Sequence, residues 1–159
     1  MKGELLDDDV QNVRTHHNKI ATLLVGNPEC NLSYAEEEVK CIQTSIRNNT
    51  TSQMMADPVI MYLQDEAKKE EVTAAMEEAN FIHLACHGSS DSISSLAGDT
   101  TTRAGALTMG EVQELKLNDA KLLVLSACNT FRGELHADGV IGISRALIAA
   151  GSPPLLASL

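Results

Sequence analysis

A histidine and a cysteine hold matching places in the chain. His87 stands two residues beyond the apolar run 81–85 (FIHLA), and Cys128 two residues beyond the run 121–126 (KLLVLS). If both runs are strands of one parallel sheet, both ends reach the same edge, where open α/β folds place their sites. Consecutive strands are neighbours about two-thirds of the time, and neighbouring strands lie about 4.8 Å apart. Imidazole and thiol then meet. A cysteine beside a histidine becomes a thiolate nucleophile, and the histidine returns the proton that a leaving amine needs. Gly88 follows directly and leaves its backbone N–H open to a developing oxyanion, with the N–H of Cys128 as a second donor. Against this stands the ordinary reading, in which a cysteine near a strand end is simply packed.

The elements that must position this pair follow from hydropathy. Short aliphatic runs alternate with helical periodicity, the mark of βαβ units around a parallel sheet, so the fold class is α/β. A first strand at 20–25 stops at Gly26-Asn27-Pro28. Ser33-x-x-Glu36 reads as a capping box opening a helix with Val39, Ile42 and Ile46 at helical spacing. A second strand at 59–63 leads into a helix whose face is Val72, Ala75, Met76 and Ala79. Segment 89–102, rich in Ser, Gly, Asp and Thr, reads as a long exposed loop. Thr108-x-x-Glu111 is a second capping box, opening a helix to about residue 115. The run 121–126 is apolar enough for a central strand, and 130–138 is a polar loop. Residues 139–150 predict a deeply packed helix, apolar on nearly every side with Arg145 its only charge, and Gly151 is placed to stop it. Residues 155–159 read as a last strand, at which the domain reads as truncated. The first 18 residues, polar and carrying Asp7-Asp8-Asp9, read as a linker or the end of an upstream region.

Composition narrows the classes. A chain of 159 residues suits one domain able to bury a sizeable core. A net charge of -10 argues against a nucleic-acid partner, whose phosphates demand clustered Lys and Arg. With 3 % aromatic residues and no Trp, the core must be aliphatic, and base-stacking platforms are not expected. No apolar run approaches the roughly 18 residues of a membrane helix, and the acidic N-terminus lacks an export signal. Cys30, Cys41, Cys86 and Cys128 form no CxxC pair, which favours reduced thiols and a cytoplasmic setting. Asn31-Leu32-Ser33 and Asn49-Thr50-Thr51 match the glycosylation pattern but carry no weight without a secretory route.

Three stretches taken together, FIHLACHG (81–88), LLVLSACNT (122–130) and DGVIGISRALIAAGSPPLLASL (138–159), resemble the CHAT domain. That family consists of caspase-like cysteine peptidases usually found behind tetratricopeptide repeats. LLVGNP (23–28), AEEEV (35–39) and the spacing Ala67-x-Lys69-x-x-Val72 resemble its opening, so the likeness runs from Ile20 to the C-terminus. It implies a three-layer α/β/α sandwich with a mainly parallel sheet over residues 19–159. It also implies a catalytic dyad at His87 and Cys128, with the Gly88 N–H in the oxyanion site. The substrate would be a protein or peptide, with no cofactor, and tetratricopeptide repeats would lie upstream in a longer chain. Three departures stand out. Cys86 replaces a frequent Thr and offers a second thiol for a regulatory disulfide. Ser126 is neutral where relatives that cut after basic residues carry an acid, although Asp138 and the acids near the long loop remain to attract a basic peptide. Set against the resemblance, the family's C-terminal portion reads as missing.

Rival readings are weaker. His83, Cys86, His87 and Cys128 are zinc-ligand types, but His83 and His87 would lie about 13 Å apart on a strand, with Cys86 facing the other way. No metal is expected, and His83 reads as a core or sheet-face histidine. No Gly-rich phosphate loop is present, which argues against a nucleotide. A catalytically silent caspase-like interaction or signalling module remains the alternative. Glu36-Glu37-Glu38 reads as a favourable helix start and solvated face, the tract 65–71 as a self-paired charged surface, and Met54, Met55 and Met76 as core filling.

Overall fold

Aliphatic runs that alternate with amphipathic helices can bury both faces only as strands of a covered parallel sheet. The computed structural model of the chain describes residues 22–49, 58–88, 92–95, 105–128, 142–152 and 154–157. Segment 1–18, Met54 and Met55, most of 89–102, and 130–141 lie outside the described residues. The elements are β1 (Thr22–Gly26), α1 (Ser33–Asn49), β2 (Val59–Leu63), a 3-10 turn (Gln64–Glu66), α2 (Lys69–Glu78) and β3 (Phe81–His87). After these come β4 (Ser92–Ser95), β5 (Ala106–Thr108), α3 (Met109–Glu114), β6 (Leu122–Cys128), α4 (Gly142–Ala149) and β7 (Leu155–Ala157).

Five strands form one sheet in the order β2-β1-β3-β6-β7, and every pairing is parallel. Alternation along the strands builds two cores. Leu23 and Val25 of β1, Ile82, Leu84 and Cys86 of β3, and Leu123, Leu125 and Ala127 of β6 pack with α2, α3 and α4. Leu24 and Ala85 pack with Val39 of α1 on the other face. Helices therefore cover both sides, giving the α/β/α sandwich. Each fully buried Leu contributes about 1.5–3 kcal/mol. Gly26 leaves no room for a side chain: a Cβ there would lie 2.5 Å from Val39 Cγ2 and 3.1 Å from the Ala35 carbonyl oxygen. Helix α1 crosses the end of β1 at that distance.

Local readings meet mixed outcomes. The Thr108–Glu111 capping box forms in both halves. At the other predicted box the helix takes in Ser33 itself, and Glu36 turns to Lys40 and Gln64 instead of capping. Gly151, at φ +83, ends α4, with N–H bonds from Ser152 to Leu147 (2.9 Å) and from Gly151 to Ile148 (3.0 Å). That helix is less enclosed than its composition predicts. Ile143, Ala146 and Leu147 are buried, but Ile148 is 63 % exposed. The segment expected to be a loop holds β4, paired antiparallel with β5, because Ile93 supplies a buried apolar anchor within a polar run. Lys69 donates to Glu111 and to the Ala106 carbonyl (2.9 Å), so a residue from the charged tract ties α2 to α3 and β5. No described helix is long and apolar enough to cross a membrane.

Candidate active site

Strands β3 and β6 are neighbours, and their register holds to the last residue of each. Ala85 lies opposite Ser126, Cys86 opposite Ala127, and His87 opposite Cys128. Both strands run two residues farther than their apolar runs, because ladder hydrogen bonds need no apolar side chain. His87 and Cys128 are thus the closing pair of a ladder, on strands about 4.8 Å apart. Cys128 is described through its backbone. Gly88 carries the chain one step on and bridges antiparallel to Ile93, so its peptide is held against β4.

Parity sorts the neighbours. Positions 83, 85 and 87 face α1, whereas Cys86 is buried in the core beneath α2, α3 and α4. The expected second thiol beside the pair is therefore on the wrong side of the sheet, since a disulfide needs Cβ atoms about 3.5–4.5 Å apart and facing. Cys30 and Cys41 are exposed.

His87, 38 % exposed at its side chain, is met by the loop between β1 and α1. Its Nε2 lies 2.9 Å from Asn31 Oδ1 and 3.8 Å from Glu29 Oε2, and Asn31 Nδ2 donates to the same Glu29 oxygen at 3.3 Å. Two non-glycine residues in left-handed conformation shape this loop: Asn27 at φ +54 and Cys30 at φ +58. Asparagine tolerates that region, but for cysteine it costs about 1–2 kcal/mol. Asn27 is buried and locks the loop. Its N–H donates to the Ala85 carbonyl (3.0 Å), its Oδ1 accepts from the Leu32 N–H (2.6 Å), and its carbonyl accepts from the Cys30 N–H (3.0 Å).

A second network lies one step below the pair. His83 Nε2 donates to Glu38 Oε1 at 2.9 Å, and Ser126 Oγ donates to Glu38 Oε2 at 3.0 Å. His83 is a sheet-face histidine, as its place in the run predicts, but with a carboxylate partner. Ser126, neutral itself, is supplied with an acid by α1. The sequence gives no sign of a role for Glu29, reads Asn31 only as a glycosylation match, and places Glu38 on a solvated face, whereas Glu38 meets His83 and Ser126 on the sheet. For Glu38 a signal existed: it falls three residues after Ala35 and four before Ile42, on the stripe that packs against the sheet. At the start of α1, hydrogen bonds from Lys40 and then Gln64 hold the Glu36 carboxyl below its usual range. Among the described residues no three His, Cys, Asp or Glu side chains gather as a metal site.

The family model of the CHAT domain matches residues 4–159. No curated protein matches the chain.

Proposed function

The chain belongs to the CHAT domain family, whose character is caspase-like and peptidase-related, and from that premise we propose that it is a cysteine endopeptidase domain with a Cys128/His87 dyad. The observation that carries this reading is the register of β3 and β6, which ends both strands on the same rung with one of these residues on each. In the proposed reaction His87 takes the Cys128 proton, and Sγ attacks the carbonyl carbon of a peptide bond. The N–H groups of Gly88 and Cys128 stabilise the oxyanion. As the intermediate collapses, His87 gives its proton to the departing amine, and a thioester remains on Cys128. Water, deprotonated by His87, then adds to the thioester, and collapse of that intermediate releases the acid and restores the thiol. The substrate is a protein or peptide, and tetratricopeptide repeats in a longer chain supply partner binding.

The test uses the full-length protein, a fluorescent thiol-directed probe and a peptide library. Cys128 is expected to label faster than the exposed Cys30 and Cys41. Cys128→Ala and His87→Ala are each expected to lower cleavage by at least about a thousandfold without changing the circular dichroism. Labelling of Cys128 no faster than of Cys30, with no cleavage under any activating condition, overturns the peptidase reading in favour of a silent interaction module.

A further inference from the structure

We propose that Asn31, backed by Glu29, is a positioning residue that holds His87 in its Nε2–H form and leaves Nδ1 to exchange the proton with Cys128. The inference rests on the dyad reading above and assigns it a third and a fourth member.

Hydrogen-bond logic carries it. A carboxylate oxygen only accepts, so the end of the Asn31 amide that lies 3.3 Å from Glu29 Oε2 must be its NH2 group. The other end is then the oxygen, 2.9 Å from His87 Nε2, and that oxygen also only accepts. Nε2 must therefore carry the hydrogen, and in the neutral ring Nδ1 holds the lone pair. Turning the amide over would set its oxygen against the Glu29 carboxylate, acceptor against acceptor, so the Glu29 contact fixes which end meets His87.

The loop that presents these groups is an independent observation. Asn27 and Cys30 hold left-handed conformations within four residues, and the buried Asn27 side chain ties the turn to Leu32. Strain of this kind persists only where the surroundings enforce it, and here it sets Glu29 and Asn31 at one imidazole. The network is open to solvent, so the expected effect is modest.

The measurement is the tautomer of neutral His87 in the full-length protein by long-range 1H–15N correlation, with the resonance assigned through His87→Gln. Beside it stands the pH profile of Cys128 alkylation by iodoacetamide. The unsubstituted protein is expected to show Nε2–H. Asn31→Ala is expected to raise the Nδ1–H fraction and slow alkylation about three- to tenfold, whereas Asn31→Asp, which keeps an acceptor oxygen, retains Nε2–H. An Nδ1–H form in the unsubstituted protein, which needs no variant to fold, overturns the proposal. So does an Asn31→Ala protein with unchanged tautomer and profile while His87→Gln alters the profile. A profile indifferent to His87→Gln sinks the dyad itself, a different failure.

Discussion

Glu38 shows how one side chain can be both part of a charge run and a structural tie. Its two oxygens accept from His83 on β3 and Ser126 on β6, so it joins α1 to both strands that carry the candidate pair. The His83 side chain is only 13 % exposed, so loss of its partner strands a polar group with little water. Glu38→Ala is therefore expected to cost about 1–2 kcal/mol, read as a lower urea midpoint with unchanged slope. Glu37→Ala, at an exposed neighbour in the same run, is expected to change stability by less than about 0.5 kcal/mol. Equal effects of the two substitutions would refute the tie. The run Glu36-Glu37-Glu38 was legible as a helix start but not as three different roles. Which of three adjacent acids meets the sheet depends on the crossing of α1, and Gly26 sets that crossing.

Helix α3 has six residues, too few to be stable by propensity, and is held by its ends. Glu111 works twice: it closes the capping box with Thr108 and receives Lys69 from α2. The Lys69 hydrogen bond first, and then the Thr108 backbone N–H, lower the Glu111 carboxyl from its ordinary 4.5 to about 2. A depressed carboxyl adds stability that is complete above its ordinary value and disappears as pH falls from 4.5 toward 2. Because the side chain is 44 % exposed, screening discounts this to about 1 kcal/mol. Glu111→Gln is expected to lower the urea midpoint at pH 7, with the gap to the unsubstituted protein narrowing below pH 4.5 and closing only toward pH 2. A constant gap across that range would show that the charge of Glu111 is not what matters. The Thr108 box was legible because both halves are local; Lys69 was not, because its partner lies 42 residues away. Strand β4 was missed for a similar reason: its apolar content is essentially Ile93, and its pairing with β5 is tertiary.

At the scale of the molecule, the backbone pairing of positions 87 and 128 required only that two adjacent strands run the same way, so that register could be read from two apolar runs. The groups around His87 could not. Asn31 looked like an idle glycosylation pattern, and its place depends on left-handed backbone at Asn27 and Cys30 that no periodicity encodes. Charge is the other molecular property, and it makes a separate prediction. The chain carries -10, while the ion pairs Lys40–Glu36 and Lys68–Glu71 join near neighbours in sequence, the first on α1 and the second at the start of α2. Such pairs, screened by solvent, contribute little. Folding draws the excess acids together, so self-repulsion opposes the compact state over the whole surface. Raising ionic strength from about 0.01 to 0.15 M shortens the screening length from about 30 to 8 Å, which weakens long-range repulsion more than contacts between neighbours. The urea midpoint is therefore expected to rise with sodium chloride over that range. A midpoint that falls instead would mean that the local pairs, Lys69–Glu111 foremost, outweigh the repulsion of the whole.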